Sequence, residues 1–177
     1  MQIQKRRNIK PPRMSTVRAD SLQDPRRLFL VADIGGTNAR FAFAEPGNPM
    51  PQPIASFAVE NFPSFDEVLD QLERDWVALG QPNTRLERVC LAVAAIPEQR
   101  EISFTNNAWR FSADGVGARL SCPDISIIND FAAVARALPA LEAKHLESIG
   151  GGSVEARKPM VAIGPGTGTC LLYTSDA

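Results

Sequence analysis

One stretch limits the folds open to this chain more than any other. Leu28-Phe29-Leu30-Val31-Ala32 is an apolar run of strand composition, followed at once by Asp33-Ile34-Gly35-Gly36-Thr37-Asn38-Ala39-Arg40 and a second apolar run, Phe41-Ala42-Phe43-Ala44. The order strand, carboxylate, two glycines, hydroxyl, strand predicts a hairpin. Adjacent glycines allow a tight turn and let a bulky anion reach backbone N–H groups that a Cβ would shield. Thr37 adds a hydroxyl donor, and Asp33 at the strand end is placed to hold a hydrated Mg²⁺. Such a hairpin suits nucleotide phosphates. A plain turn is the other reading, since Gly-Gly pairs also serve hairpins that bind nothing.

A second loop repeats the theme. Met160-Val161-Ala162-Ile163 is again a short apolar run, and Gly164-Pro165-Gly166-Thr167-Gly168-Thr169 follows it. Two strand-to-glycine-threonine turns, far apart in sequence, suggest two loops gripping one polyphosphate from opposite sides. Neither is a P-loop, because no Gly-Lys-Ser/Thr follows. Neither fits the Gly-x-Gly-x-x-Gly dinucleotide fingerprint, and a strand rather than a helix follows Gly36. A Rossmann dehydrogenase is disfavoured.

Between the loops lies a candidate for the chemistry. Ile125-Ser126-Ile127-Ile128 reads as a strand, Asn129-Asp130 ends it, and Phe131-Ala132-Ala133-Val134-Ala135-Arg136-Ala137-Leu138 has helical composition. Asp130 then stands at a helix N-terminus on the carboxyl edge of a sheet, where α/β proteins place ligands. The helix dipole favours its ionised form. Phosphoryl transfer tolerates a weak base, because its loose transition state asks mainly that the hydroxyl be oriented. Simple helix capping by Asn129 and Asp130 is the competing account.

In this order and spacing, Asp33–Arg40, Asn129–Val134 and Gly164–Gly168 resemble the bacterial glucokinase family, within the sugar-kinase, actin and Hsp70 ATPase superfamily. Thr105-Asn106-Asn107-Ala108-Trp109-Arg110-Phe111 adds a fourth match to a Thr-Asn-x-x-Trp-x-Phe stretch. The resemblance covers roughly residues 28 to 168. It implies an α/β fold of the ribonuclease H-like, actin-like ATPase kind: a mixed five-stranded sheet with helices on its faces, plus the start of a second domain. It implies ATP and Mg²⁺ as cofactors and glucose as substrate. Asp130 would be the base that accepts the proton of the glucose 6-hydroxyl, and Asn129 would hydrogen-bond the sugar, with Thr105 and Asn106 close to the sugar cleft. Gly35, Gly36, Thr37 and Asn38 would meet the ATP phosphates, with Asp33 near Mg²⁺, and Gly166, Thr167 and Gly168 would form the second phosphate loop.

The chain also departs from that pattern. Ile96-Pro97-Glu98-Gln99-Arg100-Glu101 is a charged turn where the family has a glycine turn. The family continues its second loop as Gly-Thr-Gly-Leu-Gly and runs on into a larger second domain; this chain reads Thr169-Cys170-Leu171-Leu172-Tyr173-Thr174-Ser175-Asp176-Ala177. The expected organisation is a basic disordered leader over 1–27, an ATPase domain over 28–140, the start of a truncated domain over 141–168, and an atypical tail over 169–177. A chain so truncated is expected to show little kinase activity alone. His145, the single histidine, is expected in a surface helix without a catalytic role.

Composition narrows the alternatives. At 177 residues the chain can bury roughly 70 % of its unfolded surface, enough for one core. Its formal net charge of −1 gives the body of the chain no nucleic-acid footprint. No apolar run approaches the roughly 20 residues of a membrane span. Cys90, Cys122 and Cys170 are odd in number and unpaired by motif, which reads as reduced thiols and a cytoplasmic setting. Residues 1–27 carry a net of +6 and Pro11-Pro12, consistent with a nucleic-acid or membrane arm, with a disordered leader, or with Met14 as the true start; no secretory h-region follows.

Strands are expected near 28–33, 38–44, 53–59, 89–94, 102–104 and 125–128, the first three as an antiparallel meander. Ser64 before Asp66-Glu67 predicts a helix start, and Val68, Leu69, Leu72, Trp76 and Leu79 its buried stripe, ending at Gly80 and Pro82. Further helices are expected from Ser112 and over 130–138, and Trp109 is expected to pack. A sugar-responsive regulator and another kinase, phosphatase or ATPase of the superfamily are the alternative functions; residues 1–27 show no helix-turn-helix and the chain no cysteine-rich zinc motif. A homodimer is left open for the full-length parent.

Overall fold

The computed structural model of the chain describes residues 26–48, 50–78, 84–95, 97, 101–104, 107–151, 158–165 and 169–173. Five strands form the main sheet: β1 (Arg26–Ile34), β2 (Asn38–Ala44), β3 (Gln52–Ala58), β4 (Thr84–Val93) and β7 (Ile125–Asn129), in the order β3-β2-β1-β4-β7. The first three are an antiparallel meander, whereas β4 and β7 run parallel to β1. This is the mixed five-stranded sheet expected. β1 begins at Arg26, inside the expected leader, because Arg26 and Arg27 pair with Thr84 and Arg85 and the Arg27 guanidinium meets Glu87.

Period-two alternation divides the sheet into two faces. Leu28, Leu30, Ala32 and Ile34 of β1, Ala39, Phe41 and Phe43 of β2, and Val89, Leu91 and Val93 of β4 are buried on the first. Helix α1 (Phe65–Ala78) covers it with Phe65, Val68, Leu69 and Leu72, all buried, while Trp76 meets the Phe43 ring edge-on with centroids 4.9 Å apart. Ser64 Oγ accepts the Glu67 N–H at 3.3 Å and so starts α1 as expected; Leu79, Gly80 and Pro82 lie outside the described residues. Helix α2 (Ala113–Leu120) contributes Val116, with Ser112 Oγ accepting from the Gly115 N–H, again as expected. Arg119 ties α2 to α1: its Nη1 meets Glu73 at 2.7 Å and its Nη2 meets Asp70.

A two-residue hairpin, β5 (Ile102–Ser103) and β6 (Arg110–Phe111), closes the end of this core. Trp109 is 1 % exposed, and its indole N–H donates to the Phe62 carbonyl at 2.8 Å. The Phe65 ring stacks on Phe111 at 4.2 Å and tilts against Trp109 at 5.7 Å. Trp109 therefore packs, as its sequence context suggested. Each such side chain taken out of water stabilises the fold by about 1.5–3 kcal/mol.

On the second face lies α3 (Asp130–Ala137). It also packs against a separate antiparallel pair, β8 (Val161–Pro165) and β9 (Thr169–Tyr173). β9 occupies the start of the segment expected to be an atypical tail. His145 sits in a short 3₁₀ turn, Ala143–His145, rather than in an α-helix, and its Nδ1 accepts the Glu142 N–H at 3.1 Å. That exposed ring caps a turn.

Candidate functional site

Parallel pairing sets the candidate residues along one edge. Asp33 is in register with Ala92, Ala92 with Ile128, and Val93 with Asn129. β1, β4 and β7 thus end together, and with strands about 4.8 Å apart the ends of β1 and β7 are separated by about 10 Å. Alternation sends Asp33 and Ala92 to the second face, since Ile34 and Val93 face the core. α3 begins there at Asp130. A cleft of about 420 Å³ lies between sheet and helix, lined by Asp33, Ala92, Asp130, Phe131, Val134 and neighbouring alanines. Its walls are largely apolar, with the carboxylates of Asp33 and Asp130 as its acidic groups.

Capping fixes the start of α3. Asn129 Oδ1 accepts the N–H groups of Phe131 (3.0 Å) and Ala132 (3.3 Å), and Asp130 Oδ1 accepts the Phe131 N–H at 2.8 Å. These satisfy two donors that a helix N-terminus otherwise leaves open. Capping, the competing account of this pair, is therefore real. It uses one oxygen of each side chain and leaves the Asn129 amide N–H₂ and the second Asp130 oxygen outside the cap. Both residues are half-buried.

The first glycine turn is closed by the Gly35 N–H donating to the Asn38 carbonyl at 2.9 Å, and anchored by the Val59 N–H donating to the Thr37 carbonyl at 2.9 Å. Neither Gly35 nor Gly36 has left-handed backbone; among the described glycines that conformation belongs to Gly47 (φ 81°) and Gly150 (φ 91°). A Cβ at Gly35 would only reach ordinary contact with the Asn38 carbonyl oxygen, 3.7 Å away. The turn itself thus tolerates a side chain at 35, and open access to the backbone is what glycine adds there. Among the described residues no acceptor meets the Gly36 or Thr37 N–H, leaving two donors at the exposed end of the turn.

Sequence reasoning assigned no role to Arg40. Its Nη1 lies 2.8 Å from Asp33 Oδ2, with the Arg40 side chain 60 % and the Asp33 side chain 54 % exposed. The two are register partners across β1 and β2, a pairing that hairpin arithmetic on the glycine turn would have found. Also on this face, two residues before Ala92, burial pushes the Cys90 thiol up from its ordinary range, against the opposing effect of Arg136 and Arg88. Among the described residues no cluster of three or more His, Cys, Asp or Glu could cage a metal. Thr105, Asn106, Gly166, Thr167 and Gly168 lie outside the described residues, as does most of the charged turn 96–101.

The second glycine segment is described as far as Pro165. Gly164 lies directly beneath the Phe131 ring, so closely that an added Cβ would fall inside it. The strand entering the second loop therefore touches the residue that follows Asp130.

The sequence model of the glucokinase family matches residues 30–176, running past Gly168, where the resemblance was expected to stop. The glucokinase of Colwellia psychrerythraea is 35 % identical over 147 residues, which is 82 % of this chain and 43 % of that protein. That of Brucella abortus is 38 % identical over 139 residues, 78 % of this chain and 39 % of that protein. The chain thus spans less than half the length of the curated relatives it matches. Among solved structures, a glucokinase from an Antarctic psychrotroph superposes with a TM-score of 0.67 at 31 % identity, covering 81 % of this chain and 45 % of that one. A ROK-family glucokinase from Streptomyces griseus, solved with glucose and AMPPNP, shares the fold at a TM-score of 0.52 and 20 % identity, covering 81 % and 43 %.

Proposed function

The chain belongs to the glucokinase family, and from that premise we propose that it carries the base and the first phosphate turn of an enzyme transferring the γ-phosphoryl of ATP to the 6-hydroxyl of glucose. One observation carries the reading: Asp33 and Asp130, at the shared carboxyl edge of β1 and β7, line the same cleft. In this account the Asp130 carboxylate orients the sugar hydroxyl and takes its proton as the phosphoryl group departs, a late demand that a plain carboxylate meets. The Asn129 amide donates to a sugar oxygen while its carbonyl oxygen holds the helix start. Thr105 and Asn106 approach the sugar. The Gly36 and Thr37 N–H groups, with Gly35 and Asn38 shaping the turn, face the phosphates; Gly166, Thr167 and Gly168 form the opposing loop. Preorganised donors of this kind stabilise charge that grows in the transition state.

Mg²⁺ fits the residues present. It keeps several waters and takes one or two carboxylates plus substrate phosphates, and Asp33 offers one half-exposed carboxylate at the turn. Bound there, the ion would neutralise phosphate charge. Arg40 meets the same carboxylate at 2.8 Å in an exposed ion pair. The reading extends to a cytoplasmic enzyme of glucose breakdown without nucleic-acid or membrane partners; no described helix is long and apolar enough to cross a membrane.

The test is a chimera in which residues 26–173 replace the matching part of the Colwellia psychrerythraea glucokinase. It should release ADP in the presence of glucose, and calorimetry should rank glucose above mannose and fructose. Asp130→Ala should lower kcat by about 10²- to 10⁴-fold while ATP still binds. Turnover that survives the substitution within a factor of ten refutes the base assignment.

A further inference from the structure

We propose that Phe131 and Gly164 form a lock that positions Asp130 relative to β8, the strand that leads in sequence to the second glycine segment; the role rests on the kinase reading above. Phe131 has two attachments. Its backbone N–H is held by Asn129 Oδ1 and Asp130 Oδ1 at 3.0 and 2.8 Å. Its ring sits over Gly164, where any Cβ would overlap the ring carbons. Gly164 in turn belongs to β8, paired with Cys170 of β9, and leads within two residues to Gly166. One side chain thus joins the carboxylate at the head of α3 to the strand that delivers the second loop.

Gly164 has no conformational need to be glycine: its φ is not left-handed, unlike those of Gly47 and Gly150. What it supplies is the absence of a Cβ. Moving α3 away from β8 instead would carry Phe131 and Val134 toward Asp33 and Ala92 and narrow the cleft these residues line. A side chain at 164 therefore has to displace the Phe131 ring, and the strain reaches the residue's own backbone, whose N–H donates to Asp130 Oδ1. Interiors are dense enough to transmit such a displacement, and a shift of about 1 Å at a reacting group costs up to about 10²-fold in rate.

The test is a cycle on the 177-residue chain, read by amide hydrogen exchange, and repeated for turnover in the chimera. Gly164→Ala should speed exchange at the Phe131 and Ala132 N–H groups at least about tenfold, leaving Val89 and Leu91 in β4 unchanged. Adding Phe131→Leu, which removes the ring carbons that overlap, should restore protection. In the chimera Gly164→Ala should lower kcat about 10- to 100-fold with little change in the KM for ATP, and the double variant should regain most of it. Unchanged exchange, faster exchange throughout β4, or loss that Phe131→Leu does not rescue overturns the lock. So does altered exchange with unaltered kcat. An unsubstituted chimera without turnover refutes the kinase reading instead, and the exchange cycle then decides the lock alone.

Discussion

Asn129 is asked to do two things, and one substitution pair separates them. Its Oδ1 accepts two N–H groups at the head of α3, and its amide N–H₂ is assigned to the sugar. Asn129→Ala removes both roles. Loss of an N-cap costs about 1 kcal/mol, which in a chain of this size lowers Tm by about 2–4 °C. Asn129→Asp keeps an acceptor in place and adds a negative charge where the helix dipole favours one by about 0.3–1 kcal/mol. Repulsion from neighbouring Asp130 offsets part of that gain, so Tm should stay within about 2 °C of the parent. The same change deletes the amide donor. A buried sugar oxygen left without its partner costs about 1–3 kcal/mol, so glucose affinity in the chimera should fall about 5- to 150-fold. Thermal unfolding by circular dichroism and calorimetric titration of glucose read the two effects independently. Should Asn129→Asp unfold as early as Asn129→Ala, the cap does not work through Oδ1. Should it bind glucose like the parent, the amide does not touch the sugar.

Other substitutions test the frame around the site. Ser121 holds φ at 51° as the C-cap of α2, a conformation that costs a non-glycine residue about 1–2 kcal/mol; Ser121→Gly should raise stability by about 0.5–1 kcal/mol in urea unfolding, and a loss would refute strain there. Trp109→Phe deletes the donor to the Phe62 carbonyl and should cost about 1–3 kcal/mol in the same assay. For Cys90 the sign follows from a folded pKa raised by burial above its unfolded value near 9: the folded state keeps the proton that the unfolded chain releases. Its contribution is complete below that pH and is lost as pH climbs through the folded value. Stability should therefore fall more steeply above about pH 9 in the parent than in Cys90→Ala; parallel profiles would refute it.

The sheet was legible because its strands are short apolar runs with strong punctuation. Gly35-Gly36 set the first hairpin, and Ser64 and Ser112 marked helix starts that the structure caps as expected. Asp130 could be placed at the carboxyl edge because parallel strands followed by helices leave few alternatives. Contacts between distant segments were not legible. Nothing local to Gly164 announces that it lies under the Phe131 ring, because the reason is an absent Cβ and not a backbone preference. The Asp33–Arg40 pair was missed for a different reason: both residues were expected in strands, 28–33 and 38–44, but the register across the glycine turn was not counted out. β9 was missed because Thr169–Tyr173 departs from the family's loop pattern, although its own apolar content suits a strand.

The two margins of the main sheet are unlike. β3 carries Pro53, with Pro51 just before it, and a proline offers no N–H to an incoming chain. β7 stands at the other margin among the described residues, and Ile125-Ser126-Ile127-Ile128-Asn129 holds neither proline nor charge. Lateral growth of the sheet by a foreign strand is therefore directional: it is obstructed beside the meander and unobstructed beside the segment that ends at Asp130. Self-association by strand addition would begin beside β7, the strand whose last residue, Asn129, caps the helix that Asp130 opens.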